Sequence, residues 1–480
     1  MYGLSYSIGR LISFFLVTSY LTRIFIGNEK AYFSIYQEMY FYIALFLGIL
    51  TLRMETTFFR FISDEKTKNK IYPLLSQIVL IACIVFIVMA IIFIEPIQSF
   101  LKYPDLKNHI FLTVSIIVLD VLSSLPFSKI RFKKQAMRYA YIKLSGIFLN
   151  IFLIFFFLEI LKLIWPMFQF ETLPASSKLF YILLANVLSS GFTLILLSPE
   201  IKESFQKVDW SFSRNILSYS WPLIIVTLCY TIMQNGYTSF LKFLLPGTPM
   251  ENLQMSSQFN ASARLAVIMN LFITSFNYAV EPFFFRHAKH EHAKEIYAKV
   301  SLYYICCCCL IYLFTCLFIK DFSLLLGSEY REALHLVSIF LLANIFAGLY
   351  SNLSSWYKLK DQTKMAAWIS LSGLFLTLLI NILLIPTYGM DVSAYAMLIS
   401  YAAICVFSYL QGQRFFPIPY PLIKMGTYLV SSVLLVYGLR YLYDMFSVSY
   451  IAIFSINIFT IIIFCWVIFK CEFQKKNIFS

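Results

Sequence analysis

The sequence predicts an all-α polytopic membrane protein with about 14 transmembrane helices, and three observations lead to this prediction. Apolar runs of about 20 residues recur along the chain, the length that a helix needs to cross roughly 30 Å of hydrocarbon. Only 13% of the 480 residues are charged and 60% are hydrophobic, whereas soluble proteins have roughly 25% charged residues. The runs are continuous rather than alternating, so they are unlike the strands of a membrane β-barrel.

The apolar runs define 14 predicted spans, each with boundaries set to within about three residues. We interpret span 1 as a retained helix and not a signal peptide, because it lacks a small-residue cleavage site and many spans follow it. In chain order the spans are 4–25, 36–59, 71–94, 109–128, 141–161, 179–198, 215–241, 255–283, 298–319, 333–356, 365–385, 391–410, 422–439 and 448–469.

Lysine and arginine lie mainly in every second connection between the spans. The connections after even-numbered spans include RFISDEKTKNK, KIRFKKQAMRYAYIK and YKLKDQTK, and they carry most of the basic residues together with the C-terminal tail. Because basic connections stay on the cytoplasmic side, both termini are predicted to be cytoplasmic. This orientation accounts for the net charge of +14, so we expect anionic membrane lipids, and no nucleic acid, as partners of the basic loops.

The connections are all short, which leaves no room for a soluble catalytic domain. We therefore expect a transporter and not an enzyme. One alternative from a different class is a membrane glycan polymerase or ligase, for which a large outer loop would be expected.

A weak internal repeat relates spans 1 and 5 to the sixth span after each, which are spans 7 and 11. LSGIFLNIFL at 144–153 matches LSGLFLTLLI at 371–380, and LSYS at 4–7 matches LSYS at 217–220. A shift by six spans preserves orientation, which is the parallel-repeat plan of transporters whose two lobes flank a central cavity. The repeat predicts an N-terminal lobe of six spans, a C-terminal lobe of six spans and two appended spans, at 1–210, 211–415 and 416–480.

Several segments resemble a known family. LRMETTFFRF in span 2, LSYSWPL opening span 7, FNASARLAVIMN in span 8 and LLINILLIPTYGMDVSAYAMLIS across spans 11 and 12 are similar to segments of bacterial lipopolysaccharide and oligosaccharide (O-antigen) flippases. In the last segment Asp391 and Val392 stand where the family often has a second glycine. The family belongs to the multidrug, oligosaccharidyl-lipid and polysaccharide exporter superfamily.

The resemblance covers nearly the whole chain and implies a function. It implies movement of an undecaprenyl-diphosphate-linked oligosaccharide across the bacterial inner membrane by alternating access. It also implies that the polymerase and glycosyltransferases of one surface-polysaccharide pathway are partners. No cofactor is expected, and coupling to H⁺, to Na⁺ or to the membrane potential is left open. The nearest alternative is a cation-coupled multidrug exporter, although such exporters often use an acid in helix 1, where this sequence has none.

Basic residues inside spans are costly and usually face a cavity or water. Related flippases have cavity arginines on helices 1, 2 and 8, and the resemblance implies that Arg10, Arg53 and Arg264 are their counterparts. Arg60 follows Arg53 by seven residues, so it is expected to share the same helical face near the cytoplasmic mouth. The alternative for Arg10 and Arg53 is that they snorkel to the membrane surface. Arg23 is expected to be an interface anchor, or else to line the cavity.

Three acids within spans are candidates for coupling or gating, or for structural bridges. They are Glu55 in span 2, Asp120 in span 4 and Glu281 at the end of span 8. Residues two apart on a helix point about 200° apart. Glu55 is therefore expected to find its partner on another helix and not in Arg53.

Overall fold

The structure is a computed structural model, and all regular secondary structure in its described part is helical. The structure describes residues 9, 11–62, 70–103, 106–164, 173–206, 208–287, 292–354, 357, 362–446 and 448–473.

The helices of the first half are mostly long and apolar. α7 continues through a π-helical turn, Phe156–Ile160, into a short helix, Leu161–Ile164. The bounds are α1 Leu11–Ile24, α2 Lys30–Leu50, α3 Met54–Phe61, α4 Ile71–Ile92, α5 Ile94–Leu101, α6 Lys107–Phe132, α7 Ala136–Phe155, α8 Ala175–Leu196, α9 Ser198–Ser204, α10 Ser213–Asn235, α11 Tyr237–Leu244 and α12 Pro249–Leu265.

The second half is also helical, and the last element that the structure describes is a π-helical turn, Phe469–Phe473. Its helices are α13 Val267–His287, α14 Ala293–Leu317, α15 Ile319–Ser323, α16 Leu336–Leu353, α17 Thr363–Tyr388, α18 Asp391–Phe415, α19 Leu422–Phe446 and α20 Tyr450–Ile468.

The predicted fold class is confirmed: the chain is an all-helical, multi-pass membrane protein. Within the described ranges, twelve helical segments are long and apolar enough to cross a membrane, and the bent pair α12–α13 would make a thirteenth. The described part of span 1 is the shorter apolar helix α1.

Two predicted spans are not continuous helices. Span 2, predicted at 36–59, is broken between α2 and α3, where Leu52 and Arg53 have left-handed backbone angles with φ of 48° and 53°. Span 8, predicted at 255–283, is divided into α12 and α13, which are bent by 43°. Serine and asparagine are frequent in the second half of α12, and their side chains compete for backbone hydrogen bonds.

Backbone contacts divide the chain into two compact units. The first comprises Met1–Asn260 and Thr363–Ser393, and the second comprises Ala261–Gln362 and Ala394–Ser480. The predicted lobes at 1–210, 211–415 and 416–480 follow a repeat in the sequence rather than compactness, and they stay a prediction.

Each unit has its own packed interior. In the first unit α6 packs against α4 and α8, while α10 packs against α2 and α17. In the second unit α14 is central and contacts α13, α16, α19 and α20. In the most apolar stretches of α14 and α16, 67% and 78% of the residues are buried. The corresponding shares in α19 and α20 are 22% and 17%. The last two helices therefore present most of their surface outward, as helices in contact with lipid do.

Candidate functional site

The structure describes most of the predicted site residues. Arg10 lies outside the described residues, and for Glu281 only the backbone, within α13, is described. Arg23, Arg53, Glu55, Arg60 and Asp120 belong to the first unit, and Arg264 belongs to the second.

Arg53 sits at the left-handed break and caps α3 with its backbone. Its carbonyl accepts hydrogen bonds from the N–H groups of Thr56 and Thr57 at 3.1 and 3.2 Å. Its side chain is exposed, and within the described part of the chain its guanidinium has no hydrogen-bond or ion-pair partner. Because the helix is interrupted at Arg53, a spacing of seven residues no longer places Arg60 on the same helical face, and that inference from the sequence is corrected.

Glu55 finds its partner on another helix, as expected. Its Oε2 accepts a hydrogen bond from the Arg131 guanidinium of α6 at 2.9 Å. Arg131 also donates to the Ser128 hydroxyl at 3.2 Å and lies 5.2 Å from the centroid of the Phe59 ring. The Glu55 carboxylate is thus neutralised by Arg131 of α6, and it does not neutralise Arg53.

Arg60 is exposed near the end of α3, and its guanidinium carbon lies 4.5 Å from the centroid of the Tyr219 ring on α10. A guanidinium over an aromatic face is held by a cation–π interaction. This contact fixes the position of the Arg60 charge relative to α10.

The remaining charges at the predicted cytoplasmic ends of α6 to α9 are largely paired with each other. The Glu200 side chain is 1% exposed, and its Oε1 lies 2.8 Å from Nη1 of Arg138. Glu203 accepts hydrogen bonds from Lys129 and, at 3.3 Å, from Lys133. The hydrogen bond from Lys129 holds the pKa of Glu203 below its ordinary value.

Three further predicted residues have local roles in the packing. The Arg23 guanidinium donates to the carbonyl of Ser19 in its own helix at 3.3 Å. The Ser190 hydroxyl donates to Oδ1 of Asp120 at 2.8 Å and joins α8 to α6. Arg264 is half-buried in the last turn of α12, immediately before the 43° bend.

The structure also reveals a buried ion pair that the sequence reasoning did not assign. The Lys242 ammonium lies 2.8 Å from both carboxylate oxygens of Glu38, and both side chains are 0% exposed. The Glu38 carboxylate also accepts the Tyr103 hydroxyl at 2.7 Å and the Ser239 hydroxyl at 2.8 Å. The carbonyl of Leu101 accepts a second hydrogen bond from Lys242 at 3.0 Å.

This pair carried a weak signal in the sequence. Glu38 lies near the outer end of predicted span 2, at 36–59, and Lys242 directly follows predicted span 7, at 215–241. Two opposite charges at the same predicted depth suit a buried pair, because an unpaired charge there would be costly. Their being neighbours depends on which helices pack together, and that information is absent from a single sequence.

The fold is shared with solved transporters. One is the lipid II flippase MurJ in an inward closed conformation, with a TM-score of 0.64 and 14% identity over 96% of this chain and 99% of that one. Another is a variant of the Vibrio cholerae MATE transporter VcmN, with a TM-score of 0.58 and 15% identity over 86% and 95%.

A third similar structure is a multidrug resistance MATE family transporter of the MOP superfamily in an inward-facing conformation. Its TM-score is 0.57, with 13% identity over 89% of this chain and 96% of that one. No protein-family profile and no curated protein matches the sequence. At these identities the comparisons establish that this chain has the fold of the MATE transporters and of the lipid II flippase.

Proposed function

We propose that this protein is a flippase that moves an undecaprenyl-diphosphate-linked oligosaccharide from the cytoplasmic to the periplasmic leaflet. It would do so by alternating access in the bacterial inner membrane, with both termini in the cytoplasm, to supply lipopolysaccharide or another surface polysaccharide. The observation that carries the proposal is Arg53. Its guanidinium is exposed and unpaired among the described residues, while its acidic neighbour Glu55 is taken by Arg131.

The chemistry of the cargo suits such a group. A diphosphate and a chain of sugar hydroxyls cannot cross hydrocarbon unaided, whereas the polyprenyl tail can stay in the lipid. Arginine stays charged and donates two parallel hydrogen bonds to phosphate oxygens. We propose that Arg53 and Arg60 receive the diphosphate on the cytoplasmic side, together with Arg10. Arg264 would contact it during release.

The fold comparison supports a lipid-linked cargo without deciding it. The match with the lipid II flippase covers 96% of this chain and 99% of that one, and that protein is named for lipid II as the molecule that it flips. In this proposal glycosyltransferases supply the lipid-linked glycan and a polymerase consumes it. No cofactor is needed, and a proton, a sodium ion or the membrane potential would drive transport.

The second candidate function is cation-coupled drug export. It is favoured by the likeness to multidrug resistance MATE transporters. Predicted span 1, residues 4–25, has no aspartate or glutamate, so it lacks the acid on which we expect a coupled exporter to depend. For this reason we favour the flippase.

The test is glycan export by the full chain in cells that lack their own flippase. Arg53→Ala is expected to lower surface glycan by about 10-fold or more, because a charge-assisted hydrogen bond is worth about 1.5–3 kcal/mol. Arg53→Lys should retain part of the export, since it keeps the charge but loses the planar fork. Arg214→Ala removes another exposed cation of the first unit and serves as the matched control.

Membrane levels of each variant are measured in the same cells. Normal export by Arg53→Ala at wild-type membrane levels would refute the assigned role of Arg53. Failure of the wild-type chain to restore any glycan, with lowered drug accumulation in the same cells, would favour the drug exporter instead.

A further inference from the structure

We infer that the pocket around the Lys242 ammonium is a monovalent-cation site whose cation is supplied by the chain itself. The ammonium of Lys242 occupies the position that a sodium or potassium ion would take beside Glu38. The inference concerns a site separate from Arg53, and it does not depend on which cargo is transported.

The ammonium is surrounded as a bound cation would be. Three oxygens lie within hydrogen-bond distance: both carboxylate oxygens of Glu38 at 2.8 Å and the carbonyl oxygen of Leu101 at 3.0 Å. The centroids of the Tyr103 and Phe243 rings each lie 4.6 Å from Nζ. Carboxylate and carbonyl oxygens are the ligands of hard cations, and aromatic faces attract positive charge.

The carboxylate oxygens of Glu38 are held by groups other than Lys242. The Glu38 carboxylate is fixed by the hydroxyls of Tyr103 and Ser239, at 2.7 and 2.8 Å. The carbonyl of Leu101 lies at the end of α5, on a different element from Glu38 in α2. The oxygen cage should therefore persist when the side chain of Lys242 is shortened.

The backbone that carries Lys242 is anchored as well. The side-chain amide of Asn252 donates to the carbonyls of Lys242 and Leu245 at 3.0 and 2.8 Å, and Asn252 is itself buried. These bonds satisfy carbonyls at the end of α11, which has no further helical turn to satisfy them. Shortening the Lys242 side chain thus removes the ammonium without releasing the helix.

Glu38 cannot be left alone in this environment. Removing one partner of a buried ion pair strands a charge whose burial is strongly unfavourable. The carboxylate must then take up either a proton or a cation from solution. The three oxygens and two rings favour the cation. In the native chain the tethered ammonium excludes it, so Glu38 offers no exchangeable site for Na⁺ or K⁺.

The test is thermal unfolding of the purified full chain in detergent. It compares NaCl, KCl and choline chloride at equal concentration. The wild-type midpoints in the three salts give the baseline, which includes every cation effect at other sites of the chain. Lys242→Ala should unfold at a lower temperature in choline chloride and regain several degrees in NaCl or KCl, because a ligand that binds only the folded state stabilises it.

Two control variants identify the site. Glu38→Gln combined with Lys242→Ala removes the carboxylate and should abolish the response to Na⁺ and K⁺. Lys178→Ala breaks the partly exposed ion pair in which Nζ of Lys178 lies 2.7 Å from Oε2 of Glu29. Its unfolding midpoint should not respond to Na⁺ or K⁺ beyond the wild-type baseline.

Several results would overturn the inference. One is a midpoint of folded Lys242→Ala that is equal in all three salts, and another is an equal response in the double variant. A midpoint that rises on acidification but not with Na⁺ or K⁺ would show that a proton satisfies Glu38. Failure of Lys242→Ala to fold in any salt, while the double variant folds, would show that no cation replaces the ammonium. Folding of Lys242→Ala only with Na⁺ or K⁺ would support the site.

Discussion

Leu52 and Arg53 both adopt a backbone conformation that is unfavourable for residues with a Cβ. A left-handed L-residue costs roughly 1–2 kcal/mol, and such strain persists only where the surrounding structure imposes it. In α3, directly after the break, Met54, Thr57 and Phe58 are each 0% exposed. Burial of this face of α3 offsets the strain. It also fixes the direction in which the Arg53 side chain projects from the backbone.

Glu203 gives a pH-dependent contribution to stability. The hydrogen bond from Lys129 holds its pKa below the ordinary value, so its contribution is present above about pH 4.3, the ordinary pKa of glutamate. The contribution is lost as the pH falls through the lowered pKa. Because the side chain is 40% exposed, we expect no more than about 1 kcal/mol.

The measurement compares unfolding midpoints of the wild type and Glu203→Gln. The variant should be slightly less stable at pH 7, and the difference should disappear at low pH. A difference that is the same at both pH values would contradict the role assigned to the carboxylate.

Residue-level prediction from the sequence succeeded where geometry within one helix decides the answer. Glu55 could not face Arg53, so a partner on another helix was expected, and Arg131 is that partner. The sequence places Arg131 itself in a connection, because predicted span 4 ends at 128, whereas α6 continues to Phe132. Glu38 and Lys242 are 204 positions apart in the chain, and no local pattern links them.

At the scale of helices, α14 and α16 approach each other closely at Gly348. A Cβ built on this glycine would lie 2.0 Å from the hydroxyl oxygen of Tyr304. That hydroxyl donates to the carbonyl of Ile345 at 3.0 Å, and Tyr304 is fully buried. The absence of a side chain at Gly348 thus allows the tyrosine to bond across the interface.

We expect Gly348→Ala to destabilise the second unit by about 1–3 kcal/mol, the usual cost of overpacking a core. The apparent melting temperature in detergent measures this loss. Gly426→Ala is the control, since nothing lies within 4 Å of a Cβ added there; it should be neutral or slightly stabilising, as alanine is favoured over glycine in helices. Equal melting temperatures for the two variants would refute the close approach.

The sequence predicts well which segments are helical, because each long apolar run indicates a membrane-spanning helix. The breaks were not predicted. The break in span 2 falls on leucine and arginine, which have no special preference for left-handed angles and thus give no warning in the sequence. The bend in span 8 follows a polar stretch, SSQFNASAR, and polar composition alone does not specify the direction in which a helix continues.

At the scale of the whole molecule, compactness and sequence repeat group the helices differently. α10, α11 and α17 correspond to spans 7 and 11 of the predicted C-terminal lobe, yet they pack within the first compact unit. A repeat in sequence indicates which helices correspond to each other, whereas packing decides which helices touch. One sequence contains only the first kind of information.

The orientation of the chain in the membrane is testable. A green fluorescent protein fused after Ser480 should fluoresce, because the C-terminus is predicted to be cytoplasmic from the distribution of lysine and arginine. Alkaline phosphatase inserted between Gly247 and Thr248, in the predicted outer connection of spans 7 and 8, should be active. The reverse pattern in full-length chains of wild-type abundance would invert the topology.

The break at Leu52 and Arg53 has a mechanical consequence. A continuous helix transmits rotation about its axis, because hydrogen bonds tie each turn to the next. The last bonds of this kind in α2 end at Thr51, and α3 begins again at Met54. Beyond the break, Glu55 ties α3 sideways to Arg131 of α6. α3 is therefore held in two ways: by the short turn that joins it to α2, in which the Met54 N–H donates to the Thr51 carbonyl at 2.8 Å, and by its ion pair with α6.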